Sequence, residues 1–143
     1  MFKKIFNKKK KEDSDNKNIL VAALLIHAAK IDENYTNAEK KIIKQALIEL
    51  NNIISDKTEN LIRLAEKKEE ESNQIVEFTK EIKKYSMEFR LKIIEVIWKI
   101  VYSDGIVDIY ETNLIRRISG LLYISDKDNG IIKNKVKNLL NKK

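Results

Sequence analysis

Asp104, Asp108 and Glu111 set three carboxylates within a single short stretch, and Asp32 and Glu39 repeat two of them 72 positions earlier. An all-oxygen set of this kind suits a hard cation such as Ca²⁺ or Mg²⁺. The spacing is not that of the helix–loop–helix calcium loop, whose ligands fall at alternate positions and close on a distant Glu. The same charges would also attract the basic surface of a protein. Helix capping competes for the same oxygens. In Asp108-x-x-Glu111 and Thr36-x-x-Glu39, the first side chain can take the N3 amide while the Glu reaches back, a cap worth about 1 kcal/mol. Both charges also favour the positive end of a helix.

Other chemistry is poorly provided for. His27 is the single histidine, cysteine is absent, and there is no Gly-rich phosphate loop. No nucleophile, base and orienting group can be assembled from these residues, and a conventional zinc site is excluded. The position equivalent to His27 in the second half is Lys99, so no shared ligand role is implied; the expectation is a polar tip at the edge of a buried helix. Trp98 is expected in the core with a partner for its indole N–H. Tyr102 and Tyr110 flank the second acidic stretch. Lys40, Lys41 and Lys44, partly repeated as Arg116 and Arg117, read as a solvated outer face or a surface for an acidic partner.

The carboxylates must be held by helices. Proline is absent and glycine occurs three times, which disfavours hairpin-rich β folds. An apolar run from Ala22 to Ala29 meets its counterpart from Ile94 to Val101 in the same register, and Leu114, Ile115 and Arg116 fall on Ile42, Ile43 and Lys44. Each half reads as apolar helix, acidic bend, capping residue, amphipathic helix. The periodicity predicts helices over about 17–31, 36–50, from 56 past Ala65, 72–84, 86–103, 108–122 and from Ser125 past Leu140. Gly105 suits a left-handed C-cap position. The fold class is all-α, with about seven helices in two pseudo-symmetric helix-turn-helix halves. The first and fifth helices form the central pair.

The net charge of +7 is concentrated at one end. Six lysines lie within the first eleven residues, which hold no acid, and from position 12 onward 23 basic residues face 22 acidic ones. The chain therefore divides into a basic amphipathic tail and linker (1–16) and a helical domain (17–141) that is near neutral. A nucleic-acid-binding domain would carry its charge on the folded surface, so no nucleic-acid partner is expected. Phe2, Ile5 and Phe6 share a helical face and, with Lys3 and Lys4, form a candidate contact for an anionic membrane surface. Lys8 to Asn18 reads as a flexible linker. Ile19 to Ala29 is too short to span a bilayer. Glu12, Asp13 and Asp15 before it, together with its internal twin, argue against a cleaved leader.

The run Trp98-Lys-Ile-Val-Tyr-Ser-Asp104-Gly105-Ile-Val-Asp108-Ile-Tyr-Glu111, with Glu88-Phe89-Arg90 before it and Leu121-Leu122-Tyr-Ile-Ser125-Asp-Lys-Asp128 after it, resembles the TerB family of tellurite-resistance proteins over about Lys17 to Leu140. At the first bend the family's Asp-Gly is replaced by Asp32-Glu33, and its second Asp by Thr36, a poorer cation ligand. The resemblance implies a non-enzymatic, cytoplasmic, all-helical protein linked to stress or tellurite resistance. Such a protein would act with a protein partner within membrane-associated assemblies at the inner face of the membrane. The expected function is an adaptor that binds a divalent cation or a basic partner at its acidic bends. The alternative is a membrane-peripheral scaffold that docks through its basic N-terminus.

Overall fold

The computed structural model describes residues 2–31, 35–51, 55–72, 74–104 and 107–141, and describes side chains over 16–31, 35–50, 56–72, 74–103 and 107–140. Among the described residues there are seven α-helices and no strand: α1 (Phe2–Ala29), α2 (Asn37–Asn51), α3 (Ser55–Glu71), α4 (Val76–Ile82), α5 (Met87–Val101), α6 (Ile109–Leu121) and α7 (Asp126–Asn141). A single 3-10 turn, Tyr102–Asp104, extends α5. The all-α bundle expected from the periodicity is the fold observed.

α1 is the axis of the bundle. It packs most extensively on α3, then on α4, α5 and α2. From Val21 to Ile26 every side chain is fully buried, as an element that is apolar on all sides requires. Burying each of its Leu and Ile side chains contributes about 1.5–3 kcal/mol. α5 is the second central helix, with Ile93, Ile94, Ile97, Trp98 and Ile100 sealed inside.

Two boundaries and the burial of one helix differ from the sequence reading. The stretch expected as a linker continues α1, which runs unbroken from Phe2. Nothing between Phe2 and Ala29 breaks a helix, and propagation from a nucleated helix is easier than a new start. α4 is shorter than its periodicity suggested, because it starts at Val76 behind Ile75, which supplies no side-chain cap. α7 is less buried than its apolar content implied. Val136 is sealed inside, yet Ile131 is 57% and Leu139 50% exposed.

The link from α6 to α7 is a Schellman turn. The Ile124 N–H donates to the Ser119 carbonyl at 2.8 Å and the Tyr123 N–H to the Gly120 carbonyl at 3.1 Å. Tyr123 holds the left-handed position of this turn, at φ 58°, where glycine is usual.

Helix directions bring the two bends together. The Lys17 ammonium sits 4.2 Å from the Tyr85 ring centre and 4.3 Å from that of Phe89, so the buried part of α1 and α5 start at the same end. α2 runs against α5: Lys41 and Ile42 share a groove with Lys99, while Leu50 shares one with Lys92. α1 and α5 therefore end, and α2 begins, at one end of the bundle. The N-terminal arm of α1 leaves from the other.

Candidate functional site

The second bend is built by α5 and α6. Tyr102 lies against Trp98 with ring centres 5.8 Å apart, and burial pushes its phenol above the ordinary range. Ser103 Oγ donates to the Ile100 carbonyl at 2.6 Å, which closes the helix end. After Val107 the chain starts α6 with a complete capping box. Asp108 Oδ1 accepts the Glu111 N–H at 2.8 Å, and Glu111 Oε1 accepts the Asp108 N–H at 3.4 Å. Glu111 is buried at 5% exposure, while Asp108, Ile109 and Tyr110 are exposed, the last two at 69% and 72%.

The first bend repeats this construction. The Thr36 N–H donates to Glu39 Oε1 at 2.9 Å, and Thr36 Oγ1 accepts the Glu39 N–H at 3.1 Å. Glu39 is buried to the same degree as Glu111. Beside the cap stands Tyr35, half-buried, with the Lys40 ammonium 4.9 Å from its ring centre. Its phenol is held far above the ordinary range, first by burial and then by the charges of Glu66, Glu39 and Glu69. Glu69, nearly buried at the end of α3, joins α1 and the turn just after it: its Oε1 lies 3.2 Å from His27 Nδ1, and its Oε2 accepts from Lys30 Nζ at 2.8 Å. His27 is thus a half-exposed tip at a helix edge, as expected. Its pairing across 42 residues left no sequence signal, because an acidic run at a helix end gives no hint of the helix it will face.

Of the five carboxylates singled out as cation ligands, Asp32 lies outside the described residues, as does Gly105. Asp104 closes the 3-10 turn, and its side chain is not among those described. Glu39, Asp108 and Glu111 all serve in caps. Among the described residues, no three His, Asp or Glu side chains gather as a metal site would require. Asp108 spends one oxygen on its cap. No described helix is long and apolar enough to cross a membrane.

Two capping boxes, each with a buried glutamate, thus open the helices that follow the two central ones. The family model for the tellurite resistance protein TerB matches residues 18–134. The chain belongs to the TerB family. No curated protein and no solved structure matches it.

The TerB match begins at Asn18, the first buried side chain among the described residues of α1. Residues 1–17, with their lysines and the candidate membrane contacts Phe2, Lys3, Lys4, Ile5 and Phe6, precede it. The arm of this TerB protein emerges at the end of the bundle where α5 starts and Arg90 stands. Arg90 Nε donates to the Tyr85 carbonyl at 3.0 Å and its Nη1 to the Leu122 carbonyl at 2.6 Å, tying two turns together. Glu88-Phe89-Arg90 had been noticed only as pattern. The lysines of α2 line a groove with Ile62 and Arg63, and Lys44 reaches Glu59 at 3.4 Å.

Proposed function

We propose that this TerB protein is a non-catalytic adaptor of a stress response, and that the acidic end of its bundle binds the basic surface of a protein partner. The observation that supports this most directly is the second bend, where exposed Asp108 adjoins Ile109 and Tyr110, exposed at 69% and 72%. An exposed carboxylate beside an exposed aromatic suits a Lys- or Arg-bearing surface, because the ring offers contact area and the charge offers selectivity. A resident cation, in Asp104, Asp108, Glu111, Asp32 and Glu39, is less well supported. Three of these residues already direct oxygens at backbone amides, and a hard cation needs several free ones.

Fluorescence anisotropy with a lysine-rich peptide tests the partner reading. Binding weakened by both Asp108→Asn and Tyr110→Ser, each still folded, supports it; no binding, or binding indifferent to both, removes it. Calorimetry with Ca²⁺, Mg²⁺ and Mn²⁺ tests the cation version. Heat that vanishes in Asp104→Asn/Asp108→Asn would restore that version in place of the partner.

The continuity of α1 favours a second reading, a membrane-peripheral scaffold at the inner face of a membrane. Helical backbone from Phe2 onward puts Phe2, Ile5 and Phe6 at positions that share one face, with Lys3 and Lys4 beside them. Such a segment binds anionic lipid by apolar contact plus about 1 kcal/mol for each lysine near the surface. Co-sedimentation with phosphatidylglycerol vesicles compares the full chain with one lacking residues 1–11. Equal binding by the two sinks this reading.

A further inference from the structure

α2 and α3 face each other across a groove that neither acidic bend nor arm accounts for. It encloses about 570 Å³, within the ~300–1,000 Å³ typical of small-ligand sites. Lys40, Lys41 and Lys44 line it from α2, and Arg63 answers from α3. Buried Ile62 forms the floor between them. Four cations thus meet two carboxylates, Glu59 and Glu66. From position 12 onward the chain is positive by a single charge, so the groove holds more positive charge than the domain as a whole.

The two acids stand at opposite ends of the groove, which leaves its middle cationic. Lys44 Nζ meets Glu59 Oε1 at 3.4 Å. From that contact the groove follows α2 back toward its start and α3 on toward its end. There Glu66 faces Tyr35, and the Lys40 ammonium sits 4.9 Å from the same ring centre. Between the two ends stand Lys41 and Arg63. Both are exposed, and among the described residues neither is ion-paired. The Lys44–Glu59 pair is itself exposed, so exchanging it for a ligand costs little.

We propose that this groove binds a small di- or triphosphate, seated between Lys41 and Arg63. The guanidinium offers a planar fork that pairs with two phosphoryl oxygens, and the lysines act as point charges beside it. Lys40 to Lys44 covers one helical turn, about 5.4 Å, so a chain of phosphates engages more of these cations than one phosphate does. An acidic peptide suits the site less well. Its charges are single and spread along a flexible backbone, and a stable protein contact needs about 800 Å² from each partner, whereas these cations converge on one concavity.

Residue-resolved NMR on the full chain separates the groove from the lysine-rich arm, which would attract any polyanion. Tripolyphosphate and ATP are titrated into the isotope-labelled protein at about 150 mM salt, where distant exposed charges are screened. Saturable shifts at the Lys41 and Arg63 amides are expected. Arg63→Gln, at an exposed position, should weaken binding at least about tenfold, the loss of one charge-assisted pair, with an unchanged melting curve. Lys41→Gln should weaken it too, and Arg116→Gln, which removes a cation of α6 outside the groove, should not. Tripolyphosphate binding at least as tightly as ATP identifies the phosphate chain alone as the ligand; tighter binding of ATP identifies a nucleotide. Shifts confined to residues 1–11, groove shifts indifferent to Arg63→Gln, or an equal loss in Arg116→Gln would overturn the proposal. So would a tetraglutamate peptide that shifts the same amides at lower concentration than tripolyphosphate, because the groove would then be a site for acidic peptide.

Discussion

At the scale of single residues, Asp108 has two separable duties, a cap and a charge. Asp108→Ala removes the cap of α6 and is expected to lower the unfolding free energy by about 1 kcal/mol in denaturant titration, while Asp108→Asn, also a good capping residue, should stay within a few tenths of the wild type. Loss of ligand binding in the Asn variant would therefore report charge and not fold. Tyr35 makes a different prediction. Burial and three glutamates raise its folded pKa above the ordinary value. Above pH ~10 the unfolded chain gives up a proton that the native state retains, so stability is full below that pH and falls as pH rises beyond it. Tyr35→Phe should flatten this alkaline loss in thermal melts between pH 9 and 11, on the order of the tyrosine range, and change little at neutral pH. The capping roles were legible from Thr36-x-x-Glu39 and Asp108-x-x-Glu111 alone, because a capping box is a local device. The setting of Tyr35 was not, because Glu66 and Glu69 reach it from α3.

At the scale of elements, stability depends on how helices end and how they are locked together. Tyr123 occupies a left-handed position that costs an L-residue roughly 1–2 kcal/mol, and the residue is 66% exposed, so little packing is lost with it. Tyr123→Gly is expected to stabilise the fold by about 1 kcal/mol, less the greater chain entropy of glycine. A drop in melting temperature would mean that the ring contributes more than its exposure suggests. Asn129→Ala tests the lock between α5 and α7. It leaves the indole N–H of Trp98, itself 1% exposed, without an acceptor, and should cost about 1–3 kcal/mol. The emission of this sole tryptophan reports directly on the change. Helix periodicity revealed that α5 and α7 exist and that Trp98 is internal. It did not reveal which flank of α7 would stay in water, because five apolar residues on one helix exceed what a single packing face can cover.

At the scale of the whole molecule, the two proposed contacts fall at opposite ends of the bundle. The bends share one end because α1 and α5 run the same way, and the cationic arm leaves from the other. Among the described residues the apolar core begins at Leu20. Removal of residues 1–11 is therefore expected to leave a single cooperative melt, with a midpoint within a few degrees of the full chain, and a large loss of stability would mean that the arm packs on the bundle. The composition and the repeat spaced by 72 positions were enough to determine an all-helical fold with two buried rods and capped bends, and the run from Trp98 to Glu111 carried the resemblance to TerB. Those features follow from hydrophobic period and local hydrogen bonding, which are written along the chain. Only the tertiary structure decided that the linker is helix, that Glu69 ties α3 to α1 through His27 and Lys30, and that Ile131 and Leu139 face outward. Each of these depends on which surfaces meet when helices far apart in sequence compete for the same neighbours, and no local pattern encodes that outcome.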